Sequence, residues 1–456
     1  MRDFAGKPVL VIGLARSGCA AAEVLVKEGA VVVATDIKPA TALGEAAVRL
    51  AEMGVQLVLG SHPLSLLDGT ELVVVSPGVP DRLPLLTEAE KRGLPVISEL
   101  ELACSLYPGP YLAITGSNGK TTPTTWVGLA LNEAGLLAAV AGNIGVPIST
   151  TVTSIPVGTW VVAEVSSFQL QRTVHFHPRV SAILNLSEDH LDRHGSFAAY
   201  RTAKAKIFAN QTPEDYLILN ADDDRVRALA DFTSAQVLFF SRRQILSEGA
   251  FVTEGKLVLG WQGEREVLCR VEEVSIPGRH NLENALATAL LARAAGASPA
   301  AIAHALKTFP GVEHRCEFVA SIDGVSYIND SKGTNPDATI KALEAFSPPL
   351  VLIAGGRDKG ANLTYLVRAI KERCRAVVLL GEATPKFRTA LAAGGYTDVL
   401  EAESLAQAVR QARALARPGD RVLLSPACAS FDMFSNYEER GRAFKAIVAE
   451  LKEEPT

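Results

Sequence analysis

The sequence carries no CxxC pair: its six cysteines, Cys19, Cys104, Cys269, Cys316, Cys374 and Cys428, are scattered along the chain. Such scatter argues against a disulfide framework and reads as reduced, mostly buried thiols of a cytosolic protein. There is no HExxH or other dedicated zinc pattern. No apolar run approaches the roughly 20 residues of a membrane span, and the amino terminus lacks the charged-then-apolar layout of a secretory signal. Positive charge is not in excess: 45 Lys and Arg against 50 Asp and Glu leave a net charge of −5. No basic field therefore argues for nucleic acid or an anionic membrane, and an anionic substrate must be held by local groups. Low-complexity segments and short internal repeats are also missing.

What is present is ordinary globular material, 48% hydrophobic and 21% charged, in a chain of 456 residues. That length is enough for about three domains. Strand-length apolar runs such as "PVLVIG", "AVVVATD" and "ELVVVSPG" alternate with helical stretches, which indicates βα units and parallel sheet. Seams at "LPVISELELACSLYPGPYLAITG" and "KTFPGVEHR" divide the chain into three α/β domains, residues 1–98, 99–311 and 312–456. Ligands of open α/β sheets bind at the carboxyl ends of the strands.

Two loops in this pattern suit phosphate. In "VLVIGLARSG" a strand ends at Gly13, a helix follows, and a second strand ends at Asp36. This is close to the dinucleotide fingerprint, in which glycines admit a pyrophosphate and a later acid meets a ribose. In "YLAITGSNGKTT" a strand and glycine turn lead to Lys120, Thr121 and Thr122 at the start of a helix. Lys120 can reach terminal phosphates, Thr121 can bind Mg²⁺, and the helix terminus adds partial positive charge. Ile114 stands where the strict G-x-x-x-x-G-K-[ST] pattern needs its first glycine, so the loop is a variant. Pro123 falls in the first helical turn, where its missing N–H is tolerated.

Charged loops follow two further strands. Glu164 ends "TWVVAE", and "SAILNLSEDHLDRH" brings Asp189, His190 and Asp192, all candidate ligands for a hard or borderline cation. Beside the phosphate-loop strand they would face a nucleotide's Mg²⁺. Read alone, "EDHLDRH" is equally a solvated loop and Glu164 a strand-end cap.

Taken in order, "TGSNGKTT", "EVSSFQL", "NLSEDHLDRHGS", "YRTAKAKIF", "IPGRHNLENALA", "GVEHRCE", "YINDSKGTNPDA", "GGRDKG" and "LLSPACASFDMFSNYEERG" resemble the motifs of the Mur ligases, which build the peptide of bacterial cell-wall precursors. The resemblance spans all three domains. It implies a Rossmann-like N-terminal domain, a central P-loop mononucleotide-binding domain of ATPase type, and a Rossmann-like C-terminal domain. Within the family, "AGNIGVP", "SSFQL" and "SPACASFDMF" most resemble the member that joins D-glutamate to UDP-N-acetylmuramoyl-L-alanine. The first loop would then hold the UDP of a sugar nucleotide, not NAD, and the second would hold ATP.

The residues implied by the resemblance are as follows. Gly13, Leu14, Ala15, Arg16, Asp36, Lys38, Ser76, Pro77 and Gly78 would bind the UDP-sugar, with Asn143 and Gln169 near its muramoyl and lactyl groups. Gly116, Ser117, Asn118, Gly119, Lys120, Thr121 and Thr122 would bind ATP, joined by Asn284, Arg315, Asp330 and Lys332. Thr121 and Glu164 would hold one Mg²⁺, and His190 with Lys204 a second, Lys204 acting as a CO₂-derived carbamate. Thr334, Lys359, Ser430, Phe431 and Tyr437 would bind D-glutamate. Gly333 stands where the pattern leads one to expect alanine, and Asn362 where it leads one to expect an acid. Read from spacing alone, Asn143 is equally a left-handed turn residue, Ser430 a helix cap, Phe431 a core aromatic and Arg315 a surface ion pair. Lys206 is expected to be a solvated surface charge.

The expected protein is a cytoplasmic monomer acting on small molecules. Rival readings are another Mur-type or folylpolyglutamate-type amide ligase, an NAD-dependent oxidoreductase and a non-catalytic nucleotide switch. The oxidoreductase leaves "GSNGKTT" and the C-terminal third without a role.

Overall fold

A computed structural model describes residues 3–358 and 360–453. The chain divides into two compact units. One runs to Ser275 and takes in His280–Phe309; the other joins Ile276–Arg279 to the chain from Pro310 onward.

The first unit holds two sheets. The N-terminal one is built from β1 (Pro8–Ile12), β2 (Val31–Asp36), β3 (Gln56–Leu59), β4 (Leu72–Val75) and β5 (Val96–Ser98), all parallel, in the order β3-β2-β1-β4-β5. Val9 and Val11 join one buried cluster while Leu10 and Ile12 join another. Burial on both faces explains why these strands read as continuous apolar runs and not as alternating ones. The chain order reverses at the β1/β4 junction, which opens a crevice at the ends of those strands.

The central sheet comprises β6 (Tyr111–Thr115), β7 (Ala138–Gly142), β8 (Trp160–Glu164), β9 (Val180–Ile183), β10 (Tyr216–Asn220), β11 (Gln236–Ser241), β12 (Gly249–Thr253), β13 (Lys256–Trp261) and β14 (Glu264–Arg270). Its order is β14-β13-β12-β11-β10-β9-β6-β8-β7, so the phosphate-loop strand β6 lies between β9 and β8. The antiparallel meander β12–β14 was not anticipated. Its turns, "TEGK" and "WQGE", have positive φ at Glu254, Gly255, Gln262 and Gly263, as tight two-residue hairpins require. The helix Thr121–Glu133 is anchored by Trp126, which is fully buried, stacks on Phe309 at 4.7 Å and donates to the Ala305 carbonyl at 2.8 Å.

Hydrogen bonds join the two sheets. Ser98, the last residue of β5, donates its N–H to the Arg172 carbonyl at 3.1 Å. Arg172 pairs with Asp81 and Glu90 of the N-terminal part.

The second unit contains β15 (Glu317–Ile322), β16 (Val325–Asn329), β17 (Leu350–Gly355), β18 (Cys374–Leu380), β19 (Val399–Ala402) and β20 (Arg421–Leu424). They form a sheet of order β15-β16-β20-β17-β18-β19, parallel except for the β15–β16 hairpin. Alternate residues of β17 again face opposite clusters, with Leu350 and Leu352 on one side and Val351 and Ile353 on the other.

Candidate active site

The phosphate loop leaves β6, an interior strand of the central sheet flanked by β9 and β8. Lys120 caps the helix Thr121–Glu133, whose first residues, Thr121, Thr122 and Pro123, are buried. Gly119 has a φ of +79°, and a Cβ there would meet Asn284 Oδ1 at 3.4 Å. Asn284 is therefore brought to the loop from the helix Arg279–Ala294. The loop is held by side chains that no motif reading had assigned. Asn185, just past β9, accepts from the N–H of Asn118 at 2.8 Å and donates back to its carbonyl at 3.0 Å. Ser117 Oγ accepts from Ser187 N–H at 2.9 Å and lies 3.0 Å from the Tyr200 hydroxyl. Asn185 could have been found as the polar residue ending a strand beside the loop.

Lys204 lies on the helix Phe197–Ala205 and is fully buried, not solvated. Its amine donates to the Gly116 carbonyl at 2.8 Å and to Thr115 Oγ1 at 3.2 Å, over the Tyr200 ring. Lys120 Nζ donates to the same Gly116 carbonyl at 3.0 Å. Burial pushes the Lys204 amine well below the usual lysine range; the Lys120 charge adds to this, while Asp189 and Glu164 oppose it. Two full ammonium charges on one carbonyl would repel strongly in so buried a place.

Glu164 ends β8 opposite Ile114 of β6. One of its oxygens accepts from Asn143 Nδ2 at 2.8 Å, and the other, Oε2, is buried with no partner. A buried carboxylate oxygen left open in this way fits a hard cation. Asn143 has no positive φ, so it is not a left-handed turn residue. His190 does have one, +52°. Its half-exposed ring packs edge-on to Phe168, with Nε2 3.5 Å from Asp189. Among the described residues, Glu164, Asp189 and His190 do not close into a three-donor metal cluster; the side chain of Asp192 lies outside the described set. Gln169 is buried, and its Oε1 accepts from Ser166 N–H at 2.9 Å in a capping box. Its carbonyl is thus committed to the helix end. Lys206 corrects the expectation of a solvated charge: it is half-buried and donates to the Gln171 carbonyl at 2.6 Å.

At the N-terminal switch point a cavity of about 400 Å³ is lined by Gly13, Ala15, Asp36, Lys38, Ser76 and Gly78, with Pro77 between the last two. The helix Arg16–Lys27 has Ala15 in its capping position and no side-chain cap. Its first N–H groups are left for an anion. Gly18 makes the turn possible, since a Cβ there would lie 1.8 Å from the Gly13 carbonyl oxygen. Asp36 shapes the turn by accepting from Leu14 N–H at 2.6 Å and Lys38 N–H at 2.8 Å. Arg193, on the short helix Leu191–His194 that follows His190, donates to the Val79 carbonyl at 2.9 Å.

In the second unit the loops after β16 and β20 are bound together. Ser425 Oγ donates to Asp330 at 2.6 Å, and Ala427 N–H to the Gly333 carbonyl at 2.8 Å. A Cβ at Gly333 would sit 2.5 Å from Asp330 Oδ2 and 2.6 Å from Ser425 Oγ, so this contact explains the missing alanine. Burial raises the Asp330 carboxyl to about 6, while the Ser425 hydrogen bond and the Arg315 charge pull it down. Arg315 makes no salt bridge among the described residues, and its Nε is buried without a partner, which excludes the surface-ion-pair reading. Lys332 lies over the Tyr437 ring at 5.7 Å, which brings Tyr437 next to the loop after β16. Thr334 follows in the same loop and is half-buried. Ser430 is buried and ends no helix, and Phe431 is 63% exposed, which excludes a core aromatic. Asn362 caps its own loop by accepting from Thr364; Lys359 lies outside the described residues. Arg440, not foreseen, is buried and donates to the Ser331 and Cys428 carbonyls, binding both loops to one side chain. Glu313, His314 and Glu317 have metal-like spacing, but Lys445 bonds both acids at 3.0 and 2.7 Å.

Three domain families match this arrangement: the Mur ligase MurD-like N-terminal domain over residues 7–98, the Mur ligase middle domain over 114–292, and the Mur ligase glutamate ligase domain over 314–428. The UDP-N-acetylmuramoylalanine--D-glutamate ligase of Pelotomaculum thermopropionicum is 48% identical over 99% of both chains. The chain belongs to the Mur ligase family. The ligase of the same name from Caldanaerobacter subterraneus subsp. tengcongensis is 45% identical over 98% of this chain and 99% of its own. The Mur ligase fold recurs in the UDP-N-acetylmuramate-alanine ligase MurC of Thermotoga maritima, with a TM-score of 0.60 at 20% identity over 98% of this chain and 100% of that one. It recurs again in the Thermotoga maritima MurF ligase in complex with ADP, with a TM-score of 0.60 at 14% identity over 99% and 100%. The opening fingerprint of this Mur ligase thus belongs to a MurD-like N-terminal domain.

Proposed function

We propose that the protein is an ATP-dependent ligase that joins D-glutamate to UDP-N-acetylmuramoyl-L-alanine in the cytoplasmic synthesis of peptidoglycan precursors. The observation that carries this reading is the phosphate loop flanked by Lys204 and Glu164, in a chain that aligns end to end with ligases named for that reaction. Residues 1–98 take the sugar nucleotide, 99–311 take ATP, and 312–456 take D-glutamate. The protein works as a monomer on small molecules, and among its described residues no helix is long and apolar enough to cross a membrane.

A carboxylate in water does not form an amide unaided; it needs a leaving group. The L-alanyl carboxylate attacks the γ-phosphorus of ATP, giving an acyl phosphate and ADP. The free amine of D-glutamate then adds to the acyl carbon, and the tetrahedral intermediate expels phosphate. No protein nucleophile is required, so positioning and charge neutralisation supply most of the rate.

The turn from Gly116 to Gly119, its Ser117 and Asn118 N–H groups held by Asn185, sets the uncapped start of the helix Thr121–Glu133 toward the phosphates, Lys120 swings from the Gly116 carbonyl onto the terminal phosphates, and Thr122 and Asn284 complete the nucleotide site. Arg315, Asp330 and Lys332 serve the nucleotide from the C-terminal unit. Thr334, Lys359, Ser430 and Phe431 serve D-glutamate, with Tyr437 beside them. Asn143 and the free amide end of Gln169 orient the muramoyl-lactyl portion. Thr121, Glu164, His190 and Lys204 would hold two Mg²⁺ ions, which neutralise phosphate charge when bound. Lys204 acts there as a carbamate: its neutral amine adds to CO₂ and loses a proton to water, which turns a buried neutral group into an anion beside Lys120.

Phosphate release from ATP with UDP-N-acetylmuramoyl-L-alanine should require D-glutamate and fall to background with other amino acids. Release that is indifferent to the amino acid supplied would refute the assignment.

A further inference from the structure

The N-terminal cavity contains a side chain to which no motif pointed. His62 follows β3 and lines the space together with Asp36, Ser76 and Gly78. Its hydrogen bonds define which ring nitrogen carries the proton. The Thr35 hydroxyl lies 3.0 Å from the Ser61 carbonyl oxygen, which can only accept, so the single hydroxyl proton goes there. His62 Nδ1, 2.9 Å from the same Thr35 oxygen, must therefore be the donor. The neutral ring then keeps its lone pair on Nε2, at the edge turned away from Thr35. Burial pushes His62 below the usual histidine range, so the ring is neutral at neutral pH.

The carboxylate in the cavity is already engaged. Both carboxylate oxygens of Asp36 accept backbone N–H groups that form the turn. Position also matters. The anion turn lies over β1 and β4, while β2 and then β3 extend away from it in the order β3-β2-β1-β4. A nucleotide anchored by its phosphates at Gly13 would extend its nucleoside past the end of β2, the side on which His62 lines the cavity. Exposed Ile37, Pro80 and the Val79 and Leu83 side chains supply apolar walls for a flat base.

We propose that His62 is a specificity-determining residue for the sugar nucleotide, its Nε2 accepting a hydrogen bond from the uracil imide N–H or the ribose 2′-hydroxyl. The proposal rests on the reading of this cavity as the UDP site.

The test is calorimetric titration of the full-length protein with UDP, CDP and 2′-deoxy-UDP. Wild type, His62→Phe and His62→Gln are compared. His62→Phe should weaken UDP binding about tenfold. It should raise KM for UDP-N-acetylmuramoyl-L-alanine while leaving kcat and ATP binding unchanged. His62→Gln, which keeps an acceptor oxygen, should recover most of the affinity. If the donor is the imide, the penalty disappears with CDP; if it is the hydroxyl, it disappears with 2′-deoxy-UDP. Equal UDP affinity in wild type and His62→Phe would overturn the proposal and leave the UDP site standing. So would an equal loss for all three ligands that His62→Gln does not rescue. Failure of the wild type to bind UDP at all would instead overturn the site reading, and the proposal with it.

Discussion

The N-terminal and central sheets each place a strand, a glycine turn and a helix at the middle of parallel strands, yet the two turns are furnished differently. At Gly13 the helix is uncapped, the walls of the cavity are apolar, and Asp36 holds the backbone. At Gly116 the turn is surrounded by side chains drawn from β8, β9 and the helix Phe197–Ala205, and two lysines converge on one carbonyl. The difference teaches that one strand–turn–helix unit can open onto an apolar-walled hollow or onto a cluster of charged groups recruited from elsewhere in the chain, and only the second is furnished for chemistry on an anion. The central site accepts an electrostatic conflict, a buried amine beside a second lysine, that the N-terminal site does not contain.

Removing that conflict should abolish the chemistry. Lys204→Ala is expected to lower kcat by a factor of about 10²–10³, the scale of losing one electrostatic stabiliser, with UDP binding intact. Short carboxylic acids should restore part of the rate by filling the vacated anion position, and wild-type rates in the variant without added acid would contradict the carbamate. The same site sets a pH dependence. A lysine whose folded pKa is depressed binds fewer protons folded than unfolded, so stability rises with pH through the window below the unfolded value of about 10.4. In CO₂-free buffer, Lys204→Met should flatten this slope, as read by thermal melts from neutral pH to pH 10.

The N-terminal turn should fail for a steric reason. Gly18→Ala places a Cβ 1.8 Å from the Gly13 carbonyl, and such overpacking costs about 1–3 kcal/mol. UDP affinity should fall at least about tenfold while ADP affinity is kept; parallel loss of both would show that the two turns are not independent. Asn185→Ala is the counterpart in the central loop. Loss of its two hydrogen bonds to Asn118 should raise KM for ATP several-fold, at about 1 kcal/mol per bond, and leave UDP binding unchanged. The smallest effect belongs to Lys206→Ala, which loses one bond to Gln171 and should lower stability by about 0.5–1.5 kcal/mol at full activity. A large activity loss there would move Lys206 into the site.

Much of this was legible along the chain. Strand-length apolar runs, the helix opening at Thr121 and the helix bearing Tyr200 and Lys204 all follow from local periodicity, because sheets buried on both faces need uninterrupted apolar strands. The β12–β14 meander was missed, although its two x-Gly turns carry the signal of tight hairpins. Lys206 was misjudged because a helix reading knows which residues share a face but not that Gln171 lies opposite. His62 and Arg440 were unassigned because single polar residues acquire meaning only from what the fold places next to them.

The sequence by itself determined the order of βα units, the two glycine turns and the types of group available near each one. Those are local properties, decided by backbone freedom and side-chain period. Only the tertiary structure decided that β6 lies between β8 and β9, that Glu164 keeps one buried oxygen without a partner, and that Lys120 and Lys204 meet on a single carbonyl. Strand order and burial depend on contacts between residues far apart in the chain, and it is burial that moves the Lys204 amine below the range of a solvated lysine.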